Sequence, residues 1–546
     1  MKVVTTEQMR RLENLSEAQG VSKDTLMETA GLAVARRVKH HVGPLVGVLI
    51  VVLVGPGNNG SDGLVAARHL HQWGANLFVY LCSDRKTPDG KLNLLKGHDK
   101  GYNLEIVSAL EDLGSVQLRY ALMRAHIAVD AILGTGRSRP LDGPLMTILQ
   151  ELSMARNHHD DLRIFAIDVP TGLDADTGAV DPACPKADIT TTLGRPKRGL
   201  FAFPGAEKTG KLEVLDIGIP LHLDDDIALE LMTLDWAFNL LPVRHSASHK
   251  GHFGRTLVIA GSRNYIGAAY LAATAASRVG AGLVTLAIPE SLQLTIASKA
   301  AEPTYLPLPE SLPGVVAPER AASVILDNLD GYDSLLIGCG LGQAAETGVF
   351  IERLLCSGIA LPPTIVDADG LNFLAKRKTP KSDWWTKFPQ AAILTPHLGE
   401  MTRLTGESMN AIQNNRVTKA VSYAKTWNKV MVLKGAYTIV ASPSGTSMLS
   451  PFANPGLATA GTGDVLAGII SGLLSQGLTL EESASLGVYI HGKAGENVRG
   501  YFGDTGMTAS DLLPILPKVI KEIRTQPNLK PRAESHDIIE PSVFRL

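Results

Sequence analysis

Residues 454–470 read NPGLATAGTGDVLAGII and hold the strongest chemical signal in the chain. Gly456, Gly461 and Gly463, with Ala458, Ala460 and Thr462, lead into Asp464. After the acid, Val465, Leu466, Ile469 and Ile470 follow at helical spacing. A small-residue loop therefore opens a helix with an acid in its first turn. Free N–H groups and the helix dipole make such a start an anion site. A carboxylate there repels phosphate unless it acts on a neighbouring hydroxyl. The pattern predicts phosphoryl transfer to an alcohol, with backbone amides on the phosphate and Asp464 as base.

The first half of the chain holds a second set of candidates. GPGNNGSDG, residues 55–63, follows an apolar run and precedes a helical stretch. Gly55, Gly57 and Gly60 fit GxGxxG, and Asp84 stands where a ribose-binding acid would follow. No Gly-Lys-Ser/Thr follows, so this is not a Walker A loop. VDAILGTGRSRP (129–140) and IDVPTGLDADTG (167–178) also leave strand-like runs. Strand ends of a parallel α/β sheet face one crevice, so Asn59, Asp130 and Thr171 are expected to converge. Neutral oxygens with one carboxylate suit a monovalent cation better than zinc or magnesium. Asp168, at a strand end, is a candidate general acid/base. In the second half, KGAYT (434–438), TPHLGEM (395–401), GSRNYIGAAYLAA (261–273) and GCGLG (338–342) leave strands in the same manner.

The elements that position these residues alternate in kind. In the first half, strands are expected at 46–54, 77–81, 127–132, 164–169 and 189–193, after an opening helix at 6–19. The gaps leave room for helices, the signature of a parallel sheet. A second series begins at 257–260 and continues at 283–288, 334–337, 364–366, 392–394 and 430–433. Two domains follow, residues 1–225 and 235–525, with a proline-containing tail at 526–546. The expected fold is α/β throughout, each domain a three-layer αβα sandwich.

A 546-residue chain with 45% hydrophobic and 19% charged residues is globular and too long for one core. A net charge of -2 gives no drive toward nucleic acid or acidic membranes. The four cysteines form no CxxC or Cys/His pattern, so a reduced, cytoplasmic setting is expected. The N-terminus carries charges where a signal peptide needs an apolar core, and the apolar run 45–54 is too short to span a bilayer.

The run from Asn454 to Gly468 resembles the anion-hole segment of the ribokinase-like kinases, and within them the NAD(P)HX dehydratases. The 55–63, 129–140 and 167–178 segments together resemble the NAD(P)HX epimerase domain (YjeF N-terminal), whose loop usually reads NNGGDG where this chain has Ser61. The resemblances imply a Rossmann-like first domain that epimerises R- and S-NAD(P)HX. They imply a ribokinase-like second domain that dehydrates the S form to NAD(P)H, releasing AMP from ADP (or using ATP) and phosphate. They assign potassium to Asn59, Asp130 and Thr171. Asn58, Asn59, Gly60, Ser61, Asp62 and the run Gly134, Thr135, Gly136, Arg137, Ser138, Arg139, Pro140 would hold NADHX or NADPHX, with Asp168 at the hydrated ring. In the second domain Ala268, Gly340, His397 and Asp464 would meet the substrate. Lys434, Gly435, Ala436, Tyr437, Thr438 and Gly463 would meet the nucleotide, which brings Mg2+. A homo-oligomer is expected. The competing readings are a vitamin-alcohol kinase with a non-catalytic N-terminal binding module, and a first half serving only as a scaffold.

Overall fold

The computed structural model describes residues 1–85, 89–97, 103–136, 140–376, 384–388, 391–525 and 543–545. The chain divides into two compact units, 1–227 with 532–546, and 228–531.

The first unit is built on an eight-stranded sheet. From one edge to the other run Val543–Arg545, Lys211–Leu215, Ile189–Leu193, Arg163–Ile167, Ile127–Ala131, Leu49–Val54, Asn76–Leu81 and Leu104–Ser108. All are parallel except Val543–Arg545, which pairs antiparallel with Lys211–Leu215. The sequence reading places residues 526–546 in a tail; this short strand instead returns to the first unit's sheet. Leu49–Val54 is apolar at every position because both faces are covered. Ile50, Val52 and Val54 pack with Leu26, Val34 and Leu64, while Val51 and Leu53 pack with Leu118, Leu122 and Leu149. This is the three-layer αβα arrangement. Val46, expected in the strand, is 83% exposed and lies before it, since no covering layer reaches it. The chain leaves Leu49–Val54 toward one edge and Ile127–Ala131 toward the other. The switch point of the sheet lies between them, where α/β folds bind ligands.

The second unit has a ten-stranded sheet. Its parallel portion runs Thr304–Leu308, Leu283–Pro289, Arg255–Ile259, Ser334–Ile337, Thr364–Val366, Ala392–Leu394 and Val430–Leu433. Ile439–Ala441 and Ser447–Leu449 continue antiparallel, and Leu229–Leu231 closes the edge. The switch point here lies between Arg255–Ile259 and Ser334–Ile337. Two helices cover one face, Ile266–Arg278 and Thr462–Leu474. A Cβ on Gly468 would stand 2.2 Å from the Ala272 carbonyl oxygen, so the alanine-rich and glycine-rich runs exist to bring these backbones together. That contact fixes the start of Thr462–Leu474 beside the strand ends.

Candidate functional sites

The first site sits at the switch point of the first sheet. Gly57 leads into the helix Asn58–Gln72, which begins directly after Leu49–Val54. Gly60 allows a close return of the loop: its Cβ would lie 2.0 Å from the Gly55 carbonyl oxygen. Asp130 ends the neighbouring strand with no exposed surface. Its carboxylate accepts from the Thr171 amide at 2.8 Å, the Thr171 hydroxyl at 2.6 Å and the Ile132 amide at 3.3 Å. Burial raises its pKa and the Thr171 bonds oppose this. No basic side chain is within ion-pair reach of Asp130 among the described residues. Asn59 is buried with both amide atoms unpartnered. Gly134 lies against it, with a Cβ position 3.3 Å from the Asn59 amide carbon. A buried carboxylate without a countercharge beside an orphaned amide oxygen is an environment that a cation would complete.

A cavity of about 470 Å³ opens beside this cluster. Asn58, Asn59, Asp62, Gly134, Thr135, Gly136 and Asp168 line it, so the structure brings together the sequence candidates from three strand ends. Asp168 adopts a left-handed φ of 67° at its strand end, which turns it out of the sheet line. Its Oδ1 accepts from the Lys197 ammonium, the Leu193 amide at 3.1 Å and the Thr192 hydroxyl at 3.2 Å. Lys197 is wholly buried and also donates to the Leu193 carbonyl at 2.8 Å. Asp62 is enclosed, and burial, with Asp168 and Glu13 nearby, pushes its carboxyl well above the ordinary value. Ser61 lies in a helix without positive φ, so a side chain is accepted there; its hydroxyl accepts from Arg85 at 2.9 Å. Pro140 lines an adjoining groove with Leu141 and Leu173. Arg137, Ser138 and Arg139 lie outside the described residues. Asp84 is exposed and not part of the cavity wall, so the dinucleotide-fingerprint reading of this acid fails.

The second site gathers at strand ends around Lys434. Its ammonium is 2.6 Å from Asp367 Oδ1 and 4.0 Å from Glu400 Oε2. Burial lowers the Lys434 pKa, but Asp367 and Glu400 outweigh it and the net direction is up. Asp367 also accepts from the Thr395 hydroxyl at 2.7 Å. Glu400 caps its own helix, accepting from the His397 amide at 2.8 Å, while His397 Nδ1 accepts from Gly399 and Glu400 amides at 3.0 and 3.3 Å. Burial, offset in part by Lys434, lifts Glu400 to about 7.

Asp464 stands in the first turn of Thr462–Leu474, after Gly461 with φ 90°. Burial, then repulsion from Asp367, raises its pKa to about 6. Single ligand atoms of Cys339, Asp367 and Asp464 lie within 4.8 Å of one another. Gly463 leaves room beside Lys434: its Cβ would be 3.4 Å from the ammonium. The turn Lys434–Thr438 is held by Arg416, which donates to the Ala436 carbonyl and to the Leu433 carbonyl at 3.2 Å. Gly435 and Tyr437 have positive φ, and the Thr438 hydroxyl donates to the Gly435 carbonyl at 2.8 Å. Gly340 packs directly on Ala268, with a Cβ position 2.6 Å away, so these two candidates are neighbours.

Residues 23–199 match the family model described as YjeF-related protein N-terminus, and residues 256–518 match that of NAD(P)H-hydrate dehydratase. The bifunctional NAD(P)H-hydrate repair enzyme of Moorella thermoacetica is 39% identical over 532 residues, covering 96% of this chain and 98% of that protein. The chain belongs to the bifunctional NAD(P)H-hydrate repair enzymes. The family member of Thermofilum pendens is 36% identical, covering 96% of this chain and 97% of its own. A crystal structure of the ADP/ATP-dependent NAD(P)H-hydrate dehydratase from Bacillus subtilis, co-crystallised with ATP and Mg2+, is 33% identical over 54% of this chain and 98% of that one, with a TM-score of 0.46. Each unit is an α/β domain on a mainly parallel sheet, and each carries one of the two matched segments.

In this repair-enzyme framework, the sequence reading misses Lys197, Glu13, Arg85 and Asp367. Asp367 had a usable signal, since it directly follows the strand Thr364–Val366 as Asp168 follows Arg163–Ile167. Lys197 had none: RPKRG reads as an ordinary basic turn, and only the fold buries two of its charges, Arg195 and Lys197. No described helix is long and apolar enough to cross a membrane.

Proposed function

We propose that this protein repairs hydrated nicotinamide cofactors, the first unit interconverting R- and S-NAD(P)HX and the second dehydrating the S form with a nucleotide. The observation that carries the reading is that the two matched segments fall one on each unit, and that each unit presents its own acid at a switch-point site. In the first unit Asp168, fixed by Lys197, exchanges a proton with the hydroxyl of the hydrated ring, while Asn58–Asp62 and Gly134–Pro140 hold the cofactor. Asn59, Asp130 and Thr171 would hold potassium, whose charge would offset that of the buried Asp130 carboxylate beside the Asn58–Asp62 loop.

In the second unit Asp464 accepts the ring hydroxyl proton as that oxygen attacks the terminal phosphoryl group. The amides at Thr462 and Gly463 face the transferred charge. Phosphate then leaves the ring, a proton leaves the neighbouring carbon, and the double bond returns. Lys434–Thr438 and Gly463 hold the nucleotide; Ala268, Gly340 and His397 meet the substrate. Asp367 and Asp464 are hard oxygen donors that fit Mg2+ arriving with the nucleotide, which offsets phosphate charge. ADP is the nucleotide expected, giving AMP. We further place the enzyme in the cytoplasm as a homo-oligomer, which light scattering on the purified protein checks.

The deciding assay supplies purified protein with mixed-epimer NADHX and ADP or ATP, and follows the NADH absorbance band. Recovered NADH with free phosphate is the expected result. A phosphorylated product that persists without NADH would overturn the reading in favour of a small-molecule kinase. For the ion, epimerisation is compared in KCl, NaCl and choline chloride at fixed ionic strength. Potassium dependence that Asp130→Ala weakens is expected, and equal rates in all three salts reject the site.

A further inference from the structure

We propose that Glu13, on the opening helix, is the second proton-transfer group of the first unit's cavity, working opposite Asp168. The inference rests on the epimerase reading above. The helix Thr6–Ala18 forms a wall of the cavity through Met9, Arg10 and Glu13, and it lies wholly before the segment 23–199 that carries the family match. It is tied down for this purpose. The Thr6 amide and hydroxyl each reach Asp176 at 2.7 Å, and Arg10 donates to the Thr135 carbonyl of the substrate loop at 3.2 Å.

Epimerisation needs more than one proton site. The hydroxyl-bearing carbon adjoins the ring nitrogen. Opening the ring moves the hydroxyl proton to Asp168, makes a C=O bond, and breaks the C–N bond with its electron pair passing to nitrogen. That nitrogen takes a proton from Glu13. The open-chain aldehyde turns about the adjoining C–C bond and presents its other face. The reverse steps close the ring and return both protons, so nothing is consumed.

The other groups facing the cavity are unsuited to this part. Lys197 is wholly buried and committed to Asp168 and the Leu193 carbonyl. Asp62 is only 8% exposed, and burial, with Asp168 and Glu13 nearby, pushes its carboxyl well above the ordinary value, which suits a fixed donor and not a group that must reload from water. Glu13 is half-buried, at the cavity wall, with no hydrogen bond or ion pair among the described residues. The charges around it are Arg10 on its own helix, Lys23 and Asp24 on the next, and Asp62, Asp168 and Lys197 from the sheet side. Burial, partly countered by Lys197 and reinforced by Asp168, raises its carboxyl above the ordinary value, the direction that suits a proton donor.

The test uses the full chain, wild type, Glu13→Gln and Glu13→Asp, with epimerisation of NADHX followed from pH 5 to 9. Glu13→Gln should lower the epimerisation kcat about 10²-fold with KM little changed, and should remove the alkaline limb of the pH profile. Glu13→Asp should keep that limb at an intermediate rate. Dehydration of pure S-NADHX by the same preparations should stay at the wild-type rate, and circular dichroism of the Gln variant should match wild type. Epimerisation by Glu13→Gln at the wild-type rate, or an alkaline limb that persists in Glu13→Gln and disappears in Asp62→Asn, would overturn the assignment. Absence of epimerisation in the wild-type chain would instead remove the underlying reading.

Discussion

The two units solve one problem, placing an acid at the switch point of a parallel sheet, with opposite electrostatics. In the first, Asp168 is neutralised by a buried ammonium and two further donors. In the second, the ammonium of Lys434 is spent on Asp367 at 2.6 Å, and Asp464 stands apart under repulsion from Asp367, lifted to about 6. The contrast matches the work assigned to each. A group that only passes a proton back and forth benefits from being held in place by several donors. A base that must take a hydroxyl proton while phosphate approaches gains from a raised affinity for that proton. The second unit also needs a helix start open to phosphate, and Gly461 and Gly463 keep side chains off two of its positions.

The largest effect that could break this comparison comes from Asp464→Asn. Dehydration should fall about 10²–10⁴-fold while epimerisation by the same chain is unchanged. Nucleotide binding, measured by calorimetry, should persist because the amides and Lys434 remain. Dehydration near the wild-type rate would remove Asp464 from the mechanism.

Lys434→Met probes the spent ammonium. It strands Asp367 and Glu400, which are 1% and 4% exposed, without their cation. Breaking a buried pair typically costs about 3–5 kcal/mol. The second unit should lose stability on that scale in denaturant unfolding, and the first should not. A loss confined to nucleotide affinity, with unfolding unchanged, would show that Lys434 serves only as a ligand and not also as the structural counterion of Asp367.

A smaller effect follows from pH. Asp464 holds its proton at higher pH than a free carboxyl, to about 6. Its basic form is therefore present above that value and lost as pH falls through it. Dehydration at saturating substrate should decline about tenfold per unit well below pH 6. A decline that begins only near 4 would show that the Asp367 repulsion is relieved once nucleotide and Mg2+ bind.

Both sites were legible to different depths for a physical reason. Strand ends followed by Gly, Asp or Thr carry a local signature, so Asn59, Asp130, Asp168, Thr171, His397, Lys434 and Asp464 could be picked out in order along the chain. The partners that set their charge have none. Lys197 is one cation among three in RPKRG, and only the turn of the chain over Leu193 drives it inside. Glu13 lies on a helix whose charges read as a solvated face until the cavity forms against it. In the fold, the expected strands were, Ile189–Leu193 apart, those with mostly apolar runs. Leu104–Ser108, an edge strand covered by little, and Ile439–Ala441 and Ser447–Leu449, each three residues long, carried too weak a pattern. The Val543–Arg545 strand owes its place to backbone pairing with Lys211–Leu215, which no periodicity records.

The finest test concerns Ser61, where the family's loop usually has glycine. If the loop needed glycine for its shape, Ser61 would strain it, and Ser61→Gly would improve the first unit. The geometry argues the reverse. Ser61 has no positive φ, its hydroxyl accepts from Arg85 Nη2 at 2.9 Å, and Arg85 also bonds the Gly55 carbonyl and Asp89. Arg85 thus ties the loop before the helix Asn58–Gln72 to the helix itself, with Ser61 as one of its anchor points. Ser61→Gly removes an acceptor from a mostly buried guanidinium, at about 1 kcal/mol, and loosens a helical position by roughly 0.5 kcal/mol. The first unit should unfold at lower denaturant by that amount. Half-saturation by potassium should rise modestly, because Asn59 is carried on the same turn, while the epimerisation rate at saturating potassium stays near wild type. A gain in stability would show that Ser61 strains the loop, and a loss of rate that saturating potassium does not restore would show that Ser61 acts on the cofactor and not through the loop.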